Sequence, residues 1–291
     1  MNGILLIDKP AGWTSSDVVM KLRGMLRERR IGHSGTLDPM ATGLLVVFVG
    51  RATRAVEFAE AQEKEYIGTL RLGVVTDTQD TTGTVLGGEP REVSDEELEA
   101  ALASFRGEIE QLPPMYSAVK VGGRKLYEIA RKGGEVERKY RKVTIYSLEK
   151  TGRVGNDVDL RIRCSKGTYI RTLCHDVGAA LGCGGCMSAL RRTAAGAFSL
   201  RDAHTIEDVQ AAVDRGAAES LLLPVDTLFA QLPAHTLNAA AEKNLRNGNP
   251  VSARLSAGRV RLYGESGAFL ALGEGDGDGT ELKIIKRFYE V

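Results

Sequence analysis

The sequence predicts an α+β fold, because strand patterns and helix patterns occur in separate segments of the chain. The apolar run from Leu44 to Val49 is unbroken, which is typical of a buried strand. Residues 158–164 carry apolar side chains at every second position, which is typical of a half-buried strand. A capping box from Ser94 to Glu97 precedes apolar residues at helical spacing and predicts a surface helix.

Further elements follow from the same patterns in chain order. Strands are predicted at residues 3–8 and 65–72, and three short ones around Arg261, Leu270 and Ile284. Ser16 is expected to cap a helix over residues 18–26, and later helices are predicted at 126–132, up to residue 181, at 205–213 and at 238–245. Residues 273–279 contain four glycines and are expected to form an exposed loop.

The bulk composition is that of an ordinary globular protein of 291 residues, with 43% hydrophobic and 26% charged residues. No apolar stretch approaches the roughly 20 residues of a membrane-spanning helix, and no secretory signal is present, so we expect a cytoplasmic protein with no membrane association. The net charge of +1 excludes a uniformly basic surface, but residues 120–142 hold nine Lys or Arg and three Glu. Such a local cluster can attract phosphates, although a solvated helix gives a similar pattern.

The four cysteines do not provide a disulfide framework in a chain of this length. Cys183 and Cys186 have the spacing of half a zinc or redox site, but no second matched pair accompanies them. We therefore expect reduced thiols and no bound metal.

A glycine-rich polar segment lies directly before the apolar run that begins at Leu44. Gly35 and Gly43 permit backbone angles that other residues avoid, and Asp38 precedes a proline that discourages helix. The segment therefore presents one carboxylate on a loop anchored to a core strand. A simple polar turn with Asp38 as a cap explains the same residues.

The eleven positions from His33 to Gly43 resemble the catalytic motif G-H-T-G-x-L-D-P-x-A-T-G of the bacterial tRNA pseudouridine-55 synthase (TruB) family. Ser34 stands where the family has threonine, and Thr36 where it often has alanine. Other segments resemble further motifs of the family in the same order: residues 9–15, 76–83, 113–120, 167–173 and 190–198. The resemblance covers most of residues 1–198 and is looser towards the C-terminus.

This resemblance implies a pseudouridine synthase fold with a mixed, largely antiparallel sheet and flanking helices. Residues 1–231 would form the catalytic domain, with an RNA-gripping insertion at about 113–142, and residues 232–291 a small PUA-like RNA-binding β-domain. The implied reaction is the isomerisation of uridine to pseudouridine at position 55 in the T-arm of tRNA. The implied partner is the T-arm hairpin, bound by a monomer that uses no metal, nucleotide or redox cofactor.

The resemblance also implies roles for individual residues. Asp38 would be the nucleophile and attack the ribose carbon or the pyrimidine ring, or it would remove a ribose proton; these routes stay open. Arg171 would keep Asp38 ionised through a direct ion pair with two parallel hydrogen bonds. Tyr66 would face the same cleft, stack on the base and serve as acid or base at C5. The remaining candidates would contact the substrate: His33 in the space left by the flipped base, Tyr169 and Leu190 along the base pocket, and Lys9 and Lys64 as supports and phosphate contacts.

Two other classes of function remain compatible with parts of the sequence. A non-catalytic tRNA-binding or folding module would retain the basic stretch but has no use for an acid on a glycine loop. A nucleoside hydrolase using Asp38 would need a second positioned carboxylate, and no motif supplies one.

Overall fold

The computed structural model describes residues 1–251, 255–277 and 282–289. Its α-helices are α1 Ser15–Leu26, α2 Val56–Glu60, α3 Asp95–Ser104, α4 Leu126–Ala130, α5 Ile170–Ala180, α6 Ile206–Asp214 and α7 Ala239–Asn247. Its strands are β1 Gly3–Lys9, β2 Ile31–Ser34, β3 Thr42–Val49, β4 Lys64–Leu72, β5 Val75–Thr76, β6 Val85–Gly87, β7 Gly107–Gln111, β8 Lys120–Val121, β9 Arg124–Lys125, β10 Arg141–Val154, β11 Asp157–Cys164, β12 Gly185–Ala195, β13 Phe198–Ser199, β14 Ala234–Thr236, β15 Gly258–Tyr263, β16 Phe269–Gly275 and β17 Leu282–Arg287. None of the helices in these residues is long and apolar enough to cross a bilayer.

The main sheet has the strand order β1-β3-β12-β4-β11-β10-β7, with β2 also paired to β3 and β13 to β12. Its one parallel pairing joins β12 to β3, and its other pairs are antiparallel. The prediction of an α+β fold around a mixed, largely antiparallel sheet is confirmed. The two longest strands, β10 and β12, were not predicted from the sequence.

Reciprocal capping fixes where three helices begin. Ser94 and Glu97 cap α3 as predicted, and Thr205 forms the same box with Asp208 at the start of α6. The prediction for α1 was wrong by two residues, because its cap is Thr14 rather than Ser16. The hydroxyl of Thr14 accepts from the backbone of Asp17, whose carboxylate accepts in return from the backbone of Thr14.

Side chains from the two faces of the sheet enter different cores. Apolar residues of β4 and β11 pack with α3 and α5, for example Leu70, Leu160 and Val177. Alternate residues of β1 and β3 pack beneath α1 and α6. Because the side chains of a strand alternate between faces, the buried residues of β3 divide between that core and one shared with the C-terminal residues.

The C-terminal residues form the expected small β-domain, a four-stranded sheet β14-β15-β16-β17 packed on α7. Three aromatic rings join it to the rest of the chain: Phe229 lies 6.1 Å from Phe269 and 6.0 Å from Phe288 between ring centroids. The exposed loop predicted at residues 273–279 was wrong in its first part. Gly273 and Gly275 are buried in β16, where an added Cβ would meet Leu282 at 2.8 Å and the Ser256 carbonyl at 2.5 Å. Residues 278 and 279 lie outside the described residues.

Candidate active site

The loop between β2 and β3 is held by contacts with the segment that follows β1. Ser15 bonds both backbone groups of Leu37, with the Leu37 N–H donating to its hydroxyl at 2.9 Å. The Gly12 N–H donates to the carbonyl of Pro39 at 2.8 Å. At the far end of the loop, Gly43 has φ +97° and lies against the backbone of Arg192, where no Cβ would fit. The loop therefore holds Asp38 on a fixed backbone.

Asp38 and Arg171 form the direct ion pair that the sequence predicted. The Nε of Arg171, near the start of α5, lies 2.9 Å from Oδ2 of Asp38, and its Nη2 donates to Oδ1 at 3.2 Å. The guanidinium also donates to the carbonyls of Thr78 at 3.0 Å and Tyr116 at 2.9 Å. Three separate segments thus meet at one buried arginine.

The accessibility of the two partners differs in a way that suits catalysis. The side chain of Arg171 is 6% exposed, whereas that of Asp38 is 33% exposed. Burial raises the pKa of Asp38, the Arg171 guanidinium opposes that rise, and the nearby charge of Asp80 adds to it. The arginine is therefore a fixed counter-ion, and the carboxylate keeps a face open to a substrate.

Asp80 is a third charged group at the site, and the sequence reasoning missed it. It belongs to the segment 76–83, which resembles a family motif but was not among the predicted site residues. Its Oδ2 lies 3.8 Å from Nη1 of Arg171, and its Oδ1 accepts from Thr78 and from Thr82. The motif match of residues 76–83, with the pattern T-D-T-x-D at residues 76–80, was the available signal, since it contains both Thr78 and Asp80.

Tyr66 lies on β4, in the same apolar core as Leu37 of the loop between β2 and β3, and is 8% exposed. Burial raises the pKa of its phenol, and the neighbouring guanidinium of Arg192 opposes that rise. Arg192 was part of a recognised motif but not among the predicted site residues. It is almost fully buried and donates to the carbonyls of Leu44 at 2.6 Å and Gly35 at 2.9 Å. Arg192 thus ties both ends of the loop between β2 and β3 to the strand beside Tyr66.

The other residues predicted to contact the base are Leu190, Tyr169 and His33. Leu190 packs in the same core as Tyr66. Tyr169 precedes α5 and is held by Gln111, which accepts from its N–H at 2.9 Å and donates to its carbonyl at 3.2 Å. His33 lies on β2, where burial and the charge of Arg192 lower its pKa and its Nδ1 is buried without a hydrogen-bond partner.

The contacts of Lys9 and Lys64 do not fit the phosphate contacts expected for them. Lys9 is fully buried, and its Nζ donates to the carbonyls of Pro10, Trp13 and Pro39 at 2.8, 2.6 and 3.3 Å. Lys64 is 8% exposed and donates to two carbonyls of the preceding turn. Burial lowers the pKa of each ammonium group to about 8. An ammonium group enclosed by carbonyls does not reach a phosphate. These contacts therefore agree with a supporting role for Lys9 and Lys64 but not with a phosphate contact.

No cluster of three or more His, Cys, Asp or Glu residues with the geometry of a metal site is present in the described part of the chain. The four cysteines are buried free thiols.

Comparison with known proteins places this site in a family. Residues 23–170 match the family model described as TruB family pseudouridylate synthase, N-terminal domain. Residues 171–230 and 233–283 match two further models, described as the tRNA pseudouridylate synthase B C-terminal domain and as pseudouridine synthase II TruB, C-terminal. The chain belongs to the TruB family of pseudouridine synthases.

Named TruB relatives match nearly the whole chain. The tRNA pseudouridine synthase B of Aromatoleum aromaticum is 47% identical over 96% of this chain and 91% of its own length. The corresponding protein of Chromobacterium violaceum is 46% identical over 96% and 92%. Among solved structures, a chain from a Cbf5-Nop10-Gar1 complex superposes with a TM-score of 0.76 at 27% identity, covering 99% of this chain and 85% of that one. A chain from an H/ACA RNP bound to a substrate RNA containing 2'-deoxyuridine gives 0.75 at 25% identity, covering 99% and 85%.

Proposed function

We propose that this pseudouridine synthase converts uridine 55 in the T-arm of tRNA to pseudouridine, with Asp38 as its nucleophile. The observation that carries the proposal is the carboxylate of Asp38, held by an ion pair and a hydrogen bond from a buried arginine while one third of its side chain remains exposed. A catalytic group needs both properties, because it must be fixed in orientation and reachable by the reacting atom.

The reaction breaks the bond between N1 of the base and C1′ of the ribose, turns the base over, and joins C5 to C1′. The ionised carboxylate of Asp38 can attack C1′, attack the pyrimidine ring, or remove a ribose proton, and each of these routes requires it to be deprotonated. The Arg171 guanidinium favours that state, since it opposes the effect of burial, which raises the pKa of Asp38. Asp80 and the carbonyls of Thr78 and Tyr116 in turn fix the guanidinium.

The target base would lie among Tyr66, Leu190 and Tyr169. A phenol whose pKa is raised by burial stays protonated at neutral pH, so we assign Tyr66 the stacking role. Its role as acid or base at C5 stays a prediction. Lys9 and Arg192 donate hydrogen bonds to backbone carbonyls of the loop that carries Asp38, and Lys64 donates to a carbonyl of a neighbouring turn. These three residues therefore support the loop.

A uridine stacked in an RNA hairpin must leave the stack to reach Asp38, which costs a few kcal/mol. His33 would fill the space that the base vacates. Lowering of its pKa favours the neutral imidazole, which is the better apolar surface for a neighbouring base.

The choice of tRNA as substrate rests on the relatives, whose names specify tRNA. Two further parts of the chain would grip it: the insertion at about 113–142 and the domain at 232–291. In the insertion, Lys125 and Arg131 each lie 5.4 Å from the centroid of the Tyr127 ring, whereas Tyr140 is 65% exposed. Tyr140 is therefore the better candidate for stacking on RNA.

The decisive experiment incubates the full chain with unmodified tRNA and with the same transcript carrying cytidine at position 55. Nucleoside mass spectrometry measures pseudouridine and free uracil, and base-resolution mapping locates the product. We expect one pseudouridine per tRNA, none with the cytidine transcript and no uracil. Release of uracil would support a hydrolase, and binding without either product would support a folding module.

A further inference from the structure

The turn between α1 and β2 carries three exposed arginines, Arg27, Arg29 and Arg30, that the proposed function does not use. We propose that they form a phosphate-binding patch, the α1–β2 patch, which grips the sugar–phosphate backbone of the RNA arm that presents its uridine to Asp38. This inference rests on the proposed function and extends its RNA footprint to a surface separate from the insertion and from the C-terminal domain.

The guanidinium groups of the α1–β2 patch are available to a ligand. In residues 1–251, 255–277 and 282–289, none of the three forms an ion pair or a side-chain hydrogen bond. The acid within this stretch, Glu28, accepts instead from the backbone N–H of Arg30 at 2.8 Å. Three positive charges therefore lie together at the surface without a neutralising carboxylate bound to them.

The backbone that carries the patch is fixed. The carbonyl of Arg30 accepts from the Gly50 N–H at 2.7 Å, and the carbonyl of Arg29 accepts from the Ile31 N–H at 3.2 Å. On the other side, Arg23 on α1 donates to the carbonyl of Ile31 at 2.8 Å. A rigid backbone lowers the entropy lost when the side chains bind phosphate.

Arg27 adds an argument of its own, because its backbone is left-handed, with φ 50° and ψ 35°, at the C-cap of α1. Glycine is the residue that favours this conformation at the end of a helix, and a residue with a Cβ is strained there. Stability of the fold therefore does not explain an arginine at this position. An anionic ligand that binds the charge of Arg27 at the surface explains it.

The patch lies at the end of β2 and β3 that is far from the Asp38 loop. The Gly50 N–H that donates to the Arg30 carbonyl directly follows β3, whereas the loop enters β3 at Thr42. At about 3.3 Å per residue, the patch and the loop are roughly 26 Å apart along the strand. One strand of a nucleic acid carries a charge about every 3.4 Å along its axis, so this separation corresponds to about eight phosphates. An RNA arm of that length, with its uridine at Asp38, would reach the patch.

The test measures binding of an isolated T-arm hairpin and of whole tRNA, across a range of salt concentrations. The variants are Arg27→Gly, the pair Arg29→Gln with Arg30→Gln, and all three together. Arg161→Gln is the matched control: Arg161 is an exposed arginine of β11 paired opposite Ile67. Since neighbouring side chains of β4 point to opposite faces, it lies on the face away from Tyr66.

We expect the triple variant to bind both RNAs about tenfold or more weakly, with the slope of log affinity against log salt reduced by about two to three. Arg161→Gln should match the wild type. An unchanged slope, or a loss seen with whole tRNA but not with the hairpin, would overturn the proposal. Turnover by the wild type is recorded in parallel, so failure of the proposed function shows as absent pseudouridine and failure of the patch as unchanged binding.

Arg27→Gly separates binding from folding. Glycine relieves the left-handed strain, so the variant should melt at the same temperature as the wild type or up to about 3 °C higher, while it binds RNA more weakly. A lower melting temperature with unchanged affinity would show that Arg27 serves the fold and would overturn its place in the patch.

Discussion

Replacing Asp38 with asparagine should separate catalysis from binding. The amide has the size of the carboxylate but carries no charge and cannot act as a nucleophile or take a proton at neutral pH. Even for the least demanding of the three routes, removal of a ribose proton, a positioned base contributes about 10²- to 10⁴-fold. We therefore expect pseudouridine formation at saturating RNA to slow by at least about 100-fold.

Binding and stability should change little in the same variant. Replacing Asp38 removes no contact with a phosphate, so RNA affinity should stay within about threefold of the wild type. Burial disfavours the ionised carboxylate of Asp38, whereas the ion pair and hydrogen bond from Arg171 stabilise it. Asparagine removes the cost of burying a charge and weakens the interaction with Arg171. Because these opposed effects are each about 1–3 kcal/mol, we expect the melting temperature to move by no more than about 3 °C.

The assay is a single-turnover measurement with enzyme in excess over unmodified tRNA, with affinity measured separately. Asp77→Asn is the control, since Asp77 is an exposed acid that accepts from the Thr84 N–H at 2.8 Å and should keep wild-type activity. A rate for Asp38→Asn of about a tenth of the wild type or more would refute the reasoning, because no proposed role of the carboxylate is that small.

Four further predictions follow from the same contacts. The acid limb of the pH profile of kcat should lie at a higher pH than for an ordinary aspartate, because the pKa of Asp38 is raised and its ionised form is needed. The stability gained from protonating Asp38 is present at low pH and is lost as the pH rises through that pKa. Asp38→Asn should abolish this loss when melting is measured as a function of pH. Arg171→Lys keeps the charge but not the planar fork, so it should lower the free energy of unfolding by about 3 kcal/mol in denaturant titrations and slow turnover, and a stability equal to that of the wild type would contradict the buried contacts. Lys9→Met should lower kcat and melting temperature but leave the salt dependence of RNA binding unchanged, because Lys9 binds carbonyls rather than phosphates; a reduced salt slope would restore it as a phosphate contact. Deleting the chain after Leu232 should weaken the binding of whole tRNA far more than that of the hairpin, and equal losses would mean that the domain supports the catalytic core. The truncated protein must first be shown to melt cooperatively, because the deletion leaves Phe229 without two of its aromatic neighbours.

Much of the site was predictable because one loop motif presents Asp38 and another places Arg171 at the start of a helix. The ion pair between them follows from chemistry, since an acid in a partly closed pocket needs a cation. Asp80 was not identified because a short run of Asp and Thr reads as an ordinary turn until its partner is known. The contacts of Lys9 could not be predicted for a related reason: sequence shows a basic residue beside a turn, but not whether its ammonium group faces solvent or backbone carbonyls.

The fold was predictable where the chain carries a strong period or a reciprocal cap. The alternation in β4 and β11 and the capping box of α3 fixed those elements closely. Glycine misled at Gly273 and Gly275, because it signals a loop and also permits close packing within a strand, and only the neighbours distinguish the two. β10 was not predicted because many of its residues are charged, and β12 because two irregularities interrupt its alternation. The pairing of both depends on strands that are distant in sequence.

The position of β12 between β3 and β4 has a consequence for biosynthesis. Before residues 185–195 leave the ribosome, the nascent chain holds β1 and β3 on one side and β4 on the other, with no strand to join them. The edge of β4 and the first residues of β3 then remain unpaired, because β2 covers only residues 46–49 of β3, and an unpaired edge is prone to wrong association between chains. Insertion of β12 closes both edges and brings Arg192 against Gly43 in one step. Contacts so distant in sequence form slowly, so we expect this insertion to limit the rate at which newly made enzyme becomes active.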